Sequence, residues 1–147
     1  MRMITLEEHF ATPAFLDGPG LEVKENARFA DIVANLCDIG AGRIALMDAA
    51  GIDMQVLSLT APGLEQADTA DAIVHARETN DVLAEALSKY PTRFAGLAAL
   101  PVGAPDKAVE ELERRMKRDG FKGIVVNGHN RGRYLDDKFY WPILEAA

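Results

Sequence analysis

Cysteine is all but missing from this sequence: Cys37 stands alone, so no intrachain disulfide can form, and a reducing, cytoplasmic setting is expected. Flanked by Leu36 and Ile39, that cysteine reads as a small buried hydrophobe and not as a nucleophile. No apolar run approaches the roughly 20 residues that a spanning helix needs, and the N-terminus lacks the apolar core of a signal peptide. Positive charge is in deficit. Sixteen Lys and Arg against 23 Asp and Glu leave a net charge of -7, which argues against a nucleic-acid backbone or an anionic membrane as partner. A G-x-S-x-G elbow is missing too, and Ser58 and Thr60 have no base in sight, so a nucleophile triad is not expected. Gly18-Pro19-Gly20 and Gly40-Ala41-Gly42 lack the strand–turn–helix setting that phosphate and dinucleotide loops require.

What is present is a compact globular pattern. With 147 residues, 48% hydrophobic and 27% charged, the chain is long enough for one domain with a real core and short for two. Four near-continuously apolar runs read as strands: Met3 to Phe10, Ile52 to Thr60, Phe94 to Val102 and Phe121 to Asn127. The second is expected to be buried on both faces. Between the first two lie an irregular stretch, Ala11 to about Glu25, broken by Pro and Gly, and a helical pattern from Ala27 to Ala50 interrupted at Gly40-Ala41-Gly42. A helix capped by Asp68 or Thr69 runs to about Lys89, with Ile73, Ala76, Asn80, Leu83, Leu87 and Tyr90 on one stripe. Another spans about Asp106 to Asp119, its Glu110, Glu111 and Glu113 preceding Arg114, Arg115, Lys117 and Arg118 in accord with the macrodipole; the basic residues read as a solvated face. A last helix begins near Asp137.

The alternation β-α-β-α-β-α-β-α predicts an α/β fold of parallel strands flanked by helices. Two architectures satisfy it: a small doubly wound sheet, or about four (β/α) units forming half of a barrel that in full needs about 250 residues. Either one places the ligand site at the C-terminal ends of the strands. Glu7 and His9 stand there, two residues apart on the first strand, and simple alternation aims both at one point while Glu8 turns away. A carboxylate and an imidazole converging in this way suit a divalent metal. Ser58 and Thr60, Pro101, Asn127 and His129 share that edge. Asn127 can hydrogen-bond a substrate oxygen, or simply turn the chain in Asn-Gly. His129 reads first as a loop histidine, and His75, on a helix, as structural or exposed. Phe15 and Leu16 sit in the Ala11–Glu25 stretch, either covering a pocket or anchoring the loop to the core.

Leu6-Glu7-Glu8-His9-Phe10 resembles the opening of the amidohydrolase-related decarboxylases, the aminocarboxymuconate-semialdehyde decarboxylase-like group, and within it the γ-resorcylate and dihydroxybenzoate decarboxylases. Hydrolases of the wider superfamily tend to open on two histidines; Glu7 with His9 favours the decarboxylase branch. The likeness continues in order through Met47-Asp48-Ala49-Ala50-Gly51-Ile52, Leu57-Ser58-Leu59-Thr60-Ala61-Pro62, Asn80-Asp81-Val82-Leu83-Ala84, Pro91-Thr92-Arg93-Phe94, Ala98-Ala99-Leu100-Pro101, Gly120-Phe121-Lys122-Gly123 and Val126-Asn127-Gly128. It implies the N-terminal half of a (β/α)8 barrel, as a single unit over residues 1–147. It also implies one divalent ion, zinc or manganese, with Glu7 and His9 as its ligands from the first strand. Asn127 would line the pocket for a small aromatic carboxylic acid, with Phe15 and Thr60 as further candidates. In such enzymes the ion holds the substrate carboxylate and a neighbouring phenolic oxygen, an acid protonates the ring carbon, and CO2 departs.

Two other ligands of the family, a His on a mid-barrel strand and an Asp near the end, have no counterpart up to Ala147, and no catalytic acid is assigned in this sequence. The expected activity is therefore half of a decarboxylase, completed by a complementary C-terminal half. The alternatives are an inactive half-barrel that self-associates as a homo-oligomer, and a metal-dependent hydrolase or hydratase on the same scaffold.

Overall fold

The computed structural model describes residues 1–117 and 120–147. Strand β1 (Ile4–Phe10) is followed by two short helices, α1 (Pro13–Leu16) and α2 (Leu21–Glu25), then by α3 (Ala30–Cys37) and α4 (Ala41–Ala50). Next come β2 (Met54–Leu59), α5 (Thr69–Lys89), β3 (Phe94–Ala99), α6 (Pro105–Met116), β4 (Phe121–Val125) and α7 (Trp141–Ala146). All four strands are parallel in one sheet, in the order β1-β2-β3-β4. Sequential order with every strand parallel is the start of a barrel, not a doubly wound sheet, whose order would reverse at a switch point.

One face of the sheet is well covered. Gly96 of β3 lies so close beneath α5 that a Cβ there would stand 2.9 Å from Leu83 Cδ2 and from Leu87 Cδ1. Leu57 pairs in register with Gly96, and Ala98 follows two residues on, so all three share the helix-facing side, where Leu57, Leu83 and Ala98 are fully buried. Gly96→Ala is expected to destabilise the fold by about 1–3 kcal/mol through overpacking, read as a lowered urea midpoint.

The opposite face is half open. Met54, Val56, Leu97 and Val125 are only partly buried, and Ile4 and Leu6 on β1 are 49% and 67% exposed. The expectation that β2 is buried on both faces is corrected accordingly. Its inner side lacks the layer of side chains that strands from the rest of a barrel would supply.

Several expected boundaries also move. The Ala11–Glu25 stretch is not irregular throughout: Thr12 Oγ1 accepts from Phe15 N and starts α1, with Pro13 in its first turn. The break in the next helix covers residues 38–40, with Ala41 and Gly42 already in α4: Asp38 leaves helical geometry and its Oδ1 accepts the Gly40 N–H. Cys37 is exposed, since α3 turns no fully buried residue inward. The helix expected to reach Asp119 is α6, described to Met116; Arg118 and Asp119 lie outside the described residues. The basic face of α6 is not uniformly solvated. Arg115 is 1% exposed because it points into the α5–α6 seam, where it bonds Asp81 and Glu111.

Candidate metal centre and strand-end rim

Because the strands are parallel, their C-terminal ends form one rim. β1 reaches it through an irregularity: Thr5 pairs with Gln55 but Glu8 pairs with Leu57, so one extra residue is accommodated between them. Glu7 sits in that bulge with a left-handed φ of 60°. Such a conformation is costly for a residue with a Cβ and tends to persist where a side chain must be aimed. Glu7 and His9 do meet, with Oε2 and Nε2 3.8 Å apart, but it is the bulge and not plain alternation that brings them together. Glu8 turns to the other face, towards Arg43, whose positive charge it supports.

The imidazole is held from behind. Its Nδ1 lies 3.1 Å from Ser58 Oγ, on the residue that pairs with it across β1 and β2. Arg43 Nη2 donates to the His9 carbonyl at 2.8 Å and to Asn35 O at 2.9 Å, while its Nε donates to Asp38 O. Burial pushes the Arg43 guanidinium below its usual pKa, and Glu8 and Asp38 pull it back up. Engagement of one ring nitrogen by a protein group, with the other free to bind, is the usual arrangement of a ligating histidine. Two donors each about 2.1 Å from a shared ion can stand at most about 4.2 Å apart, and the Glu7–His9 separation falls within that bound. The pair therefore fits a divalent cation as part of a ligand set. Among the described residues no third His, Cys, Asp or Glu joins them.

The remaining candidates divide. Thr60 stands at the rim one residue past β2, its N–H donating to Phe10 O. Asn127 stands two residues past β4, half-buried, with its N–H donating to Glu65 Oε1 at 2.6 Å. Phe15 is fully buried, its ring close against Gly20. His129 is an exposed loop residue whose Nδ1 accepts from Gly132 N. His75 is mostly covered on α5, its ring against Gly18. Ser58, Arg43 and Glu65 were not assigned site roles from the sequence. Register could have found Ser58, because it pairs with His9; nothing local marks the other two.

A parallel β/α sheet carrying metal-type donors at the C-terminal end of its first strand has the layout of metal-assisted barrel enzymes. The amidohydrolase family pattern matches residues 11–147. The chain belongs to that family. It is 42% identical over 152 residues to a γ-resorcylate decarboxylase of Polaromonas sp. strain JS666, covering 98% of this chain and 46% of that protein. Identity to a γ-resorcylate decarboxylase of Rhizobium sp. strain MTP-10005 is 44% over 130 residues, covering 87% and 39%. The chain thus spans less than half the length of these relatives. Among solved structures it superposes with a TM-score of 0.90, at 36% identity, on 5-carboxyvanillate decarboxylase of Novosphingobium aromaticivorans in complex with manganese and 4-hydroxy-3-methoxy-5-nitrobenzoic acid; the match covers 99% of this chain and 47% of that one. No described helix is long and apolar enough to cross a membrane.

Proposed function

We propose that this chain provides the N-terminal half of a metal-dependent decarboxylase acting on small hydroxylated aromatic acids, in the cytoplasm. The observation that carries the reading is the Glu7–His9 pair aimed by the β1 bulge, with His9 backed by Ser58. Glu7 and His9 would hold the ion, manganese or zinc. When bound, it would neutralise charge on substrate oxygens and orient them. Asn127 after β4 and Thr60 after β2 would hydrogen-bond substrate oxygens, and the bulge would keep Glu7 clear of the sheet so that its carboxylate stays accessible. The manganese and nitrobenzoate in the Novosphingobium structure support the ion and the ligand class.

The test is CO2 release from 2,6-dihydroxybenzoate with manganese, using the chain alone and joined to the C-terminal half of the Polaromonas relative. The expected outcome is turnover only in the joined protein, lost on Glu7→Ala or His9→Ala. A joined protein that folds, binds manganese and releases no CO2 would sink the reading.

A second reading rests on the half-open inner face, where Ile4 and Leu6 are exposed, and on the outer edges of β1 and β4, which pair with no strand among the described residues. On that reading the chain by itself associates with copies of itself. Sizing chromatography is expected to show oligomers, and a monomer across the concentration range would contradict it.

A further inference from the structure

A buried carboxylate with no cation beside it among the described residues needs a reason, and Glu65 is such a case. It is 2% exposed, in the loop between β2 and α5. Oε1 accepts the Asn127 N–H, while Oε2 is buried with no hydrogen-bond partner. Neutral glutamine would accept the same N–H without the desolvation of a charge, so the carboxylate is not what packing alone would select. The room for it comes from Gly63: a Cβ at that position would collide with both Glu65 Oε2 and Asn127 Nδ2, and its φ of +69° is itself left-handed. Glycine there lets carboxylate and side-chain amide face each other.

The contact is the inner end of a longer clasp. Asn130 Nδ2 donates to Glu65 O, Gln66 Nε2 donates to His129 O at 2.7 Å, and Arg131 Nη2 bonds Asp68 Oδ1 at 2.7 Å. The segment after β2 is thereby tied directly to the segment after β4, although β3 lies between those strands in the sheet. The Gln66–His129 and Arg131–Asp68 bonds are exposed and weak; the bonds of Glu65 to Asn127 and Asn130 are partly buried.

We propose that Glu65 is a positioning residue of the strand-end site, its carboxylate fixing the backbone N–H of Asn127 at the exit of β4. The assignment rests on the reading of Asn127 as the group that meets substrate oxygens. An ionised acceptor grips N–H groups more tightly than a neutral one, which suits a residue whose direction matters more than its contribution to stability. Burial pushes the Glu65 carboxyl above the usual range, and the N–H groups of Asn127, Glu65 and Leu64, with the Asn127 side chain, pull it part of the way back. The other titratable or charged groups on the two segments are Asp68 paired with Arg131, His129 receiving the Gly132 N–H, Arg133 stacked over Phe139, Tyr134, Asp136, and Asp137 accepting from Phe139 N.

The experiment follows the Asn127 backbone and side-chain amide resonances of the isotopically labelled chain from acid pH through neutrality. In the wild-type chain both are expected to titrate together, with a midpoint above the ordinary carboxylate range. In Glu65→Gln the titration disappears while protection of the Asn127 N–H from exchange is retained; in Glu65→Ala that protection falls at least tenfold. Asn127 resonances indifferent to pH in the wild-type chain, or protection unchanged in Glu65→Ala, would overturn the assignment. The wild-type titration decides the matter even where Glu65→Ala does not fold. Addition of 2,6-dihydroxybenzoate separates the two readings. A ligand-induced shift at Asn127 that survives Glu65→Gln and is lost in Glu65→Ala supports the positioning role. A wild-type Asn127 that titrates with pH yet ignores the ligand overturns its substrate role and leaves Glu65 only a structural clasp.

Discussion

Arg115→Ala is expected to destabilise the chain by about 3–5 kcal/mol, the usual cost of removing one partner from a buried ion pair. The arginine is 1% exposed, and its Nε lies 3.2 Å from Oε1 of Glu111, itself 7% exposed on the same helix. Its Nη2 bonds Asp81 on α5, and Arg114 adds bonds to both acids. The same Glu111 oxygen accepts from Asn80 Nδ2, and Asn80 in turn pairs with both the N–H and the carbonyl of Ala99 at the end of β3. Truncating Arg115 leaves Glu111 with less compensation in a buried seam, and opens a cavity over Phe121, whose ring the guanidinium covers. Urea unfolding reads the loss as a fall in midpoint. The control is Arg115→Met with Glu111→Leu, which removes both charges together and is expected to recover most of the stability, because apolar groups of similar volume often replace buried pairs at little cost. A single variant with wild-type stability would show that the pair is dispensable.

The same cluster sets an acid-side pH dependence. Burial alone would raise the Asp81 carboxyl, but the bonds and charges of Arg114 and Arg115 outweigh it and hold the pKa below the ordinary value. An acid whose pKa is lower folded than unfolded contributes its full stability above the unfolded pKa and loses it as pH falls through the carboxylate range towards the folded one. Stability is therefore expected to decline on that side with a slope that Asp81→Asn flattens. The exposure of Asp81 keeps the effect modest.

Alternation of apolar strands with helical stripes was enough to read the parallel β/α order, and the stop and start residues of α5 were legible because Asp68 and Pro91 punctuate it. Burial was harder to read. Arg115 looks like every other basic residue on α6, because a helix face becomes a seam only through the partner packed on it. Cys37 failed in the opposite sense: its apolar neighbours suggested burial, but α3 leaves them half covered or exposed. At the site, strand periodicity put Glu7 with His9 for an incomplete reason, since an inserted residue is invisible to a period-two pattern. The support around them was legible only in that Ser58 shares the strand-end edge with His9. Ser58 and Glu65 act across sequence separations of 49 and 62 residues, and only the assembled sheet brings them to their partners.

Ser58→Ala is expected to weaken manganese binding about 10–100-fold, the range typical for groups that orient a ligating histidine. The argument runs through the ring. Nδ1 held by Ser58 Oγ leaves Nε2 as the nitrogen turned towards Glu7, and it fixes the plane in which that nitrogen's lone pair lies. Without the hydroxyl the imidazole can rotate, or take the tautomer that puts a proton on Nε2, and either change removes the donor. Ser58 is 3% exposed and the hydroxyl is small, so alanine fits the same space and the fold should persist. His9→Ala and Glu7→Ala are expected to abolish binding outright, because neither donor alone makes a site. Glu8→Gln supplies the contrast: its side chain lies on the other face of the strand beside Arg43, and its loss should leave affinity unchanged. Titration of free manganese by its electron paramagnetic resonance signal measures all four variants against the wild-type chain, whose own binding is expected to be weak with only two protein ligands. Equal affinity in wild type, His9→Ala and Ser58→Ala would remove the ion from β1. A loss in Glu8→Gln matching that in Glu7→Ala would instead show net negative charge at work and not a shaped pair of donors.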